Sequence, residues 1–547
     1  MRKRIWLAAL MMVALAAKSL ACTNLIVGKA ASTDGSVLIT YSADSFGMFG
    51  FLRHYETGKH NPGEKIDVRD WDSNKYLGQI DQAPVTYNVI GNINEHQVSI
   101  AETTFGGRPE LVNEQGLIDY GSLIYLGLQR SRTAREAIKV MTDLVREYGY
   151  YSSGETFTIA DPNEAWIMEM IGKGPGVKGA VWVAVRVPDD CIAAHANQSR
   201  IHQFNLNDKE NCIYSPDVIS FAREKGYFNG KNKDFSFADA YAPADFGALR
   251  FCEARVWSFY RKHNSTMDSY LSYIKGETKE PIPLYIKPDK KLSLQDVQND
   301  MRDHYEGTPL DMTKDLGAGP YKSPYRPSPL TFKVDGKEYF NERPISTQQA
   351  GFTFVSQLRS NLPDAVGGIM WFGLDDANMI AYVPVYCCTD KVPVCFDRNK
   401  GADGVTFSFD NSFWVCNWVS NMIYPRYDLM IQDLRNVQKR LEDGFFSAQG
   451  EVESKAVAMY EKNPAEAKNY LTNYTVASAE NMHKEWRKLG EFLIVKYNDI
   501  VVKKVKDGKF ELTPDGLPEA PNRPGYPEDY NRKVIQETGD RYKVPEK

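Results

Sequence analysis

Residues 20–28 read LACTNLIVG, and the interpretation of the whole chain starts from this stretch. A basic start, an apolar run over residues 5–17 and small residues just before the cysteine predict a signal peptide over residues 1–21. Cleavage between Ala21 and Cys22 makes Cys22 the first residue of the mature protein, which is then exported to the periplasm or the extracellular space. In that form one residue carries both a thiol nucleophile and a free α-amine.

A cysteine directly after a leader is also typical of bacterial lipoproteins, whose cysteine is acylated. Such lipoproteins have a branched apolar residue three positions before the cysteine, where this chain has Ser19. They also continue with a flexible polar tether, whereas Thr23–Gly28 predicts a β-strand that starts at the cysteine. The sequence therefore favours an N-terminus that is part of the fold. A surface lipoprotein that binds peptides or glycans without chemistry stays an alternative.

Composition argues against several classes of protein. The formal net charge of the 547 residues is −5, and removal of the basic leader makes the chain more acidic, which argues against a nucleic-acid partner. After the leader there is no run of about 18 apolar residues, so we expect no membrane span. The eight cysteines and eight histidines form no Cys-x-x-Cys or His-x-x-x-His pair, and we therefore predict no metal and no cofactor.

A hairpin follows the cysteine at once. Thr23–Gly28 and Ser36–Ser42 predict two strands, and Ala31–Gly35 supplies the turn between them. Because the strands of a hairpin are antiparallel, Asp44, just past the second strand, can approach Cys22. An aspartate at this place is equally typical of a turn or a helix cap, so its spacing alone does not decide its role.

Beyond the hairpin, strands and helices follow one another in blocks. Further strands are predicted at Val85–Val89, Gln97–Thr103, Thr156–Glu169 (a hairpin), Val181–Val187 and between Phe352 and Tyr386, and helices at Thr133–Tyr148 and over much of residues 427–497. This order is expected for a layered α/β structure. We predict one domain over residues 22–500, with its helical part at residues 427–500, and a C-terminal strand and Pro-rich tail over residues 501–547.

Two polar side chains lie close together near the end of a further apolar segment. Asn197 is a suitable oxyanion donor because its NH2 group is a fixed dipole, although a buried asparagine at a strand end is often only structural. His195 is expected to be a surface or packing histidine rather than a base.

Several short motifs occur in a fixed order along most of residues 22–500. They are residues 22–28, 31–35, 94–95, 148–155, 159–169, 302–308 and 367–386. In this order, with a cysteine at the mature N-terminus, they resemble the dipeptidase A-like cysteine peptidases, which are related to the secernins and belong to the N-terminal-nucleophile hydrolases. The resemblance implies an α+β fold, a four-layer αββα sandwich with added helices toward the C-terminus. It also implies hydrolysis of dipeptides or other short peptides.

The resemblance assigns roles to individual residues. More distant relatives are the penicillin V acylases and the conjugated bile-acid hydrolases. By comparison with them, Asp44 falls where an aspartate contacts the amine of the nucleophile, and Asn197 falls near the oxyanion asparagine. Arg250 is the better match to a late active-site arginine, and Arg255 is the second choice.

Two positions depart from those acylases. They have an arginine where this chain has Tyr41, and an asparagine where it has Thr104. Thr104 still offers its backbone N–H to an oxyanion, since that donor needs no particular side chain. The missing arginine argues against a bile-acid or penicillin amidase. Hydrolysis of some other non-peptide amide on the same fold stays an alternative.

A mechanism follows as a hypothesis. A free cysteine has a pKa of about 8.5 and an α-amine one of about 7.7–8.0, so the amine of Cys22 is a suitable base for its own thiol. Asp44 would orient the amine, the sulfur would attack the peptide carbonyl, and Asn197 and Thr104 would hold the oxyanion. Water then hydrolyses the thioester. The sequence is also compatible with a homo-oligomer.

Overall fold

A computed structural model describes residues 22–398 and 401–545. The predicted signal peptide, residues 1–21, lies outside the described residues, so the leader and its cleavage stay predictions. Within the described ranges no helix is both long and apolar enough to cross a membrane.

Two large antiparallel sheets dominate the described part of the chain. Their strands are β1 (Asn24–Val27), β2 (Val37–Asp44), β3 (His54–Tyr55), β4 (Val89–Ile90), β5 (Ile93–Asn94), β6 (Ser99–Gly106), β7 (Gly154–Ala160), β8 (Ala165–Gly172), β9 (Ala180–Val187), β10 (Ile192–His195), β11 (Cys212–Tyr214), β12 (Tyr285–Ile286), β13 (Ala350–Leu358), β14 (Ile369–Leu374) and β15 (Val383–Tyr386). The seven-stranded sheet has the order β12-β10-β1-β2-β13-β14-β15, and the eight-stranded sheet has the order β11-β9-β8-β7-β6-β5-β4-β3.

Short two-stranded sheets lie outside these two. They pair Gly58–Lys59 with Val85–Thr86, Lys65–Arg69 with Tyr76–Asp81, Thr331–Val334 with Lys337–Phe340, and Val505–Lys506 with Lys509–Phe510. The predicted strand at Val85–Val89 is thus divided, because its first two residues pair in a small sheet and its last residue begins β4.

Two groups of helices contact different sheets. The helices are α1 (Tyr120–Arg130), α2 (Ala134–Tyr148), α3 (Val218–Glu224), α4 (Phe237–Tyr241), α5 (Ala254–His263), α6 (Leu271–Ile274), α7 (Leu294–Asp300), α8 (Asp364–Gly367), α9 (Ser412–Ile423), α10 (Tyr427–Tyr460), α11 (Pro464–Lys496) and α12 (Glu528–Thr538). Helices α1 and α2 contact strands of the eight-stranded sheet, α9, α10 and α11 contact β14 and β15 of the other, and β2 contacts β6 and β7 across the two sheets. The chain is therefore a mixed α and β structure, as predicted.

Alternating side chains along β8 show how the two cores are separated. Ile167 and Ile171 belong to the core that includes the residues between the sheets, whereas Trp166, Met168 and Met170 belong to the core beneath α1 and α2. Successive side chains of a strand point to opposite faces, so one strand fills both cores.

The N-terminal hairpin forms as predicted. Ile26 pairs with Ile39 and Val27 with Leu38, and Thr23 pairs with Ser42 in an isolated bridge just beyond β1. Asp44 is the last residue of β2 and not a residue past its end.

Helix α2 also forms where its capping residues predict. The Thr133 side chain accepts a hydrogen bond from the Glu136 N–H, and Gly149, at φ 83°, ends the helix. Helices α1, α9 and α12 are among those that were not predicted, and no residue of α12 is buried.

His195, at the end of β10, joins the two sheets. Its Nδ1 lies 2.7 Å from the Thr103 hydroxyl on β6, and its Nε2 lies 2.7 Å from the Thr158 hydroxyl on β7. Burial, together with the charges of Arg200 and Arg255, lowers the pKa of His195 to about 3. The ring is thus a packing histidine held neutral between the sheets, which is one of the two roles expected for it.

The neutral His195 predicts a pH-dependent loss of stability. His195→Ala leaves two buried hydroxyls without their partner, and should lower the free energy of unfolding by about 2–4 kcal/mol at pH 8. Below pH 6.5, the ordinary pKa of the group, the unfolded wild type gains a proton that the folded state refuses down to about pH 3. The difference in the free energy of unfolding between wild type and His195→Ala should therefore shrink as the pH falls from 6.5. Urea unfolding at several pH values measures this difference.

His202→Ala is the matched control, since that histidine is partly exposed. It should change stability little at any of these pH values. If the difference in the free energy of unfolding between wild type and His195→Ala stays constant with pH, the folded protein does not hold this ring neutral.

Candidate active site

Cys22 lies just before β1 and is only 2% exposed. Its backbone is held by the bridge beside it, where the Thr23 N–H donates to the Ser42 carbonyl at 3.3 Å and the Ser42 N–H donates back at 3.0 Å. Its Sγ lies 3.8 Å from the Tyr41 hydroxyl and 3.6 Å from Glu102 Oε1. The thiol therefore meets two side chains of opposite sheets.

Asp44 forms a buried ion pair with Arg343 and accepts a hydrogen bond from the Ser42 hydroxyl. Burial raises its pKa to about 6, against the lowering effect of Arg343. Burial and the negative charges of Glu102 and Asp44 also raise the pKa of the Cys22 thiol well above its ordinary value. The structure thus brings Asp44 close to Cys22, where the hairpin geometry predicts it.

Arg255, a buried residue of α5, connects Cys22, the predicted nucleophile, to the predicted oxyanion asparagine. Its Nη1 donates to the Cys22 carbonyl at 2.5 Å and to the Thr23 hydroxyl at 2.8 Å. Its Nη2 donates to the Ala196 carbonyl at 3.1 Å and to Asn197 Oδ1 at 2.9 Å. The planar guanidinium thus fixes Cys22 and Asn197 relative to each other.

Arg250 makes its contacts with other residues than Cys22 and Asn197. It lies in the π-helical turn Ala248–Glu253 that precedes α5, where it pairs with Glu342 and its guanidinium lies 5.1 Å from the centre of the Phe340 ring. Its contacts with Glu342 and Phe340 occupy the Arg250 guanidinium, whereas the Arg255 guanidinium contacts Cys22 and Asn197. The structure brings Arg255, the second choice from the sequence, to Cys22.

Asn197 and Thr104 meet as well. Asn197 has φ 62°, in the left-handed region that asparagine tolerates, and its Nδ2 donates to the Thr104 carbonyl at 2.9 Å. The Thr104 hydroxyl in turn donates to Glu155 Oε1 at 2.8 Å. The two predicted oxyanion donors, near the C-terminal ends of β6 and β10, are therefore in contact.

A pair of buried carboxyl groups borders the thiol. Glu102 on β6 and Glu155 on β7 are each 1% exposed, and the Tyr41 hydroxyl donates to Glu102. Burial raises the pKa of both groups, and the charge of Glu102 raises the pKa of Glu155 further. The hydrogen bond between the two carboxyl groups lowers the pKa of Glu102 and raises that of Glu155, so Glu155 is the one that favours the protonated form and donates this bond. Glu102 then accepts from Glu155, Tyr41 and Cys22.

Glu102 and Arg343 carry no sequence signal for their places in the site. Glu102 lies inside an ordinary strand, and Arg343 is 299 residues away from its partner Asp44. Tyr41 was noticed only as a departure from related acylases. Its contact with both Cys22 and Glu102 gives it a place of its own in this site.

The described residues include no group of three or more histidine, cysteine, aspartate or glutamate side chains placed to hold a metal ion. All eight cysteines are described, and none of them forms a disulfide.

Comparison with known proteins identifies the family of this chain. The profile of Peptidase family C69 matches residues 21–62 and 59–440. The chain belongs to peptidase family C69. This confirms the resemblance to dipeptidase A-like peptidases and the predicted class of enzyme, a peptidase.

Several curated relatives of this C69 peptidase are similar over most of their length. A probable dipeptidase of Salmonella dublin is 27% identical, over 68% of this chain and 81% of its own. A probable dipeptidase of Latilactobacillus sakei is 26% identical, over 84% and 92%. A dipeptidase of Bifidobacterium longum (strain NCC 2705) is 24% identical, over 78% and 80%.

The two arginines provide a matched pair of variants. Arg255→Lys keeps the charge but loses the fork that holds both Cys22 and Asn197, so kcat/KM for peptide hydrolysis should fall by roughly 100-fold. Arg250→Gln leaves the half-buried Glu342 without its cation and should lower stability, but it removes no contact to Cys22, so kcat/KM of the folded protein should stay within about threefold of wild type. Equal losses in both variants, in protein that is folded by circular dichroism, would contradict this assignment.

Proposed function

We propose that this C69 peptidase is an exported cysteine dipeptidase, whose nucleophile is Cys22 at the N-terminus of the mature chain. One observation carries the proposal. Cys22 directly follows the predicted leader and lies at the start of a central strand. Its buried thiol lies near Asp44 and Glu102, and Arg255 binds its backbone carbonyl. The family, and relatives that are named dipeptidases, support peptide bonds of short substrates as the target.

The fold that we propose is the four-layer αββα sandwich of the N-terminal-nucleophile hydrolases. Its support is the order of contacts, in which α1 and α2 lie on the eight-stranded sheet, the two sheets contact each other, and α9, α10 and α11 lie on the seven-stranded sheet. In such an arrangement β1 is a central strand, so a residue at its start is held rigidly.

The first chemical step moves one proton and forms one bond. The thiol is protonated near neutral pH because burial and nearby carboxylates raise its pKa, so attack requires a base. The α-amine of Cys22 takes the thiol proton, and the sulfur forms a bond to the peptide carbonyl carbon. Asp44 stabilises the resulting ammonium, and Arg343 keeps that carboxylate in place.

The oxyanion that develops is held by Asn197 and by the Thr104 backbone N–H, each donor contributing roughly 3 kcal/mol. Arg255 binds the amide oxygen of Asn197, and this fixes the direction of the amide. The ammonium of Cys22 then gives its proton to the leaving amine as the C–N bond breaks. Water attacks the thioester with the amine as its base, and the thiol and the new carboxylic acid are released.

The N-terminus provides the first test. Protein purified from an exporting host should have the intact mass of a chain that starts at unmodified Cys22. A variant with one alanine added before Cys22 has an acylated base, and it should lose nearly all dipeptidase activity while remaining folded. Cys22→Ala should be inactive as well.

Two results would overturn the proposal. Full activity of the extended variant would exclude the α-amine as the base. A mass increased by a diacylglycerol and an acyl chain would mean a blocked amine, and would favour the surface lipoprotein.

The pH profile provides a second test. Log kcat/KM should fall with a slope of one below about pH 8, where an α-amine takes up its proton. It should steepen toward two below about pH 6, because the active form of Asp44 is the carboxylate and its pKa is about 6. Asp44→Asn should be less active and should lack the steeper limb. If wild type and variant share one profile, Asp44 does not act on the amine.

A further inference from the structure

A cavity of about 230 Å³ opens at the ends of β2 and β13, and its walls are mainly aromatic. Arg53 and Asp72 are the charged side chains among its lining residues, and Trp71, Tyr125 and Phe352 contribute rings. Its volume is below the roughly 300–1,000 Å³ of most ligand pockets, so it suits a small ligand.

Arg53 is held in this wall by rings. Its guanidinium carbon lies 3.6 Å from the centre of the Trp71 ring, 4.9 Å from that of Phe51 and 5.8 Å from that of Tyr125. Within the described residues Arg53 forms no ion pair, and its buried Nε has no hydrogen-bond partner. Buried donors are nearly always paired, and a guanidinium fork matches a carboxylate. The rings hold the cation in place without neutralising it.

The cavity adjoins the nucleophile along two contacts. The Phe352 ring packs edge-on against Tyr41, with the ring centres 5.5 Å apart, and the Tyr41 hydroxyl contacts the Cys22 sulfur. The second contact starts at Asp72 of the cavity wall, which accepts a hydrogen bond from the Tyr120 hydroxyl at 3.0 Å. Burial, followed by the charges of Glu102, Asp72 and Cys22, raises the pKa of Tyr120 well above its ordinary value. Phe352 of the cavity wall is thus linked to the Cys22 sulfur through one side chain, Tyr41.

We propose that the cavity receives the C-terminal residue of the substrate and that Arg53 binds the free α-carboxylate of that residue. This inference rests on the proposed function, because it assumes that peptides are cleaved at Cys22. Within the cavity Arg53 offers a cation to a carboxylate, and the aromatic rings offer an apolar surface to the side chain of the C-terminal residue. A carboxylate bound by Arg53 marks the C-terminal end of the substrate, so the site favours peptides whose last residue reaches Arg53.

The test compares a dipeptide with the same dipeptide carrying a C-terminal amide. Wild type should prefer the free carboxylate. In Arg53→Gln the ratio of kcat/KM for the dipeptide to kcat/KM for its amide should fall about 10- to 100-fold, because one charged pair is lost. The fall should come from a higher KM for the dipeptide. Arg53→Lys should recover part of this ratio, since it restores the charge without the planar fork. Arg69→Gln is the matched control, because Arg69 is exposed and lies 5.4 Å from the Tyr76 ring.

Losses that are equal for the dipeptide and its amide would mean that Arg53 only supports the fold, and would overturn the inference, as would an unchanged ratio. Calorimetric binding of both peptides to a chain with Cys22→Ala at its N-terminus separates this inference from the proposed function. Tighter binding of the dipeptide than of its amide, abolished by Arg53→Gln, supports the subsite even if wild type hydrolyses neither peptide. Absent or equal binding overturns it.

Discussion

Two buried arginines hold the charges of the site, and the rest of its geometry depends on them. Arg343 neutralises Asp44, and Arg255 binds the carbonyl of Cys22 and the amide of Asn197. Removing one partner of a buried pair leaves an uncompensated charge, at a cost of about 3–5 kcal/mol. Asp44 can therefore remain ionised near a buried thiol because Arg343 is paired with it.

Under the proposed mechanism, the same burial makes the thiol depend on the α-amine of its own residue as a base. Negative charges at Glu102 and Asp44 disfavour the thiolate, while Glu155 remains protonated and so limits the total charge. An ammonium that forms on Cys22 during attack supplies a positive charge exactly when the sulfur loses its proton. Within the proposed mechanism, the site is therefore poorly suited to a free thiolate and well suited to a coupled transfer.

The two sheets contribute different parts. The seven-stranded sheet carries the hairpin with Cys22, Tyr41 and Asp44, and the eight-stranded sheet carries Glu102 and Thr104. His195 crosses between them with hydrogen bonds to both Thr103 and Thr158. Packing of one sheet on the other is thus what assembles the site, and a shift between the sheets would separate the thiol from its acceptor.

Local patterns in the sequence determined much of this molecule. The leader pattern singles out Cys22, and the turn residues between two apolar runs predict the hairpin that brings Asp44 to it. Capping residues and apolar spacing likewise predict α2. Each of these features depends on residues that are close in the chain, and the physical rules for turns, caps and periodicity act over that range.

Only the tertiary structure decided which distant groups complete the site. It selected Arg255 over Arg250, paired Arg343 with Asp44 across 299 positions, and placed Glu102 against the thiol. Strand patterning reports which face a side chain occupies, but not which sheet or loop will cover that face. Buried charges are paired by how the layers pack, and that packing depends on the whole chain at once.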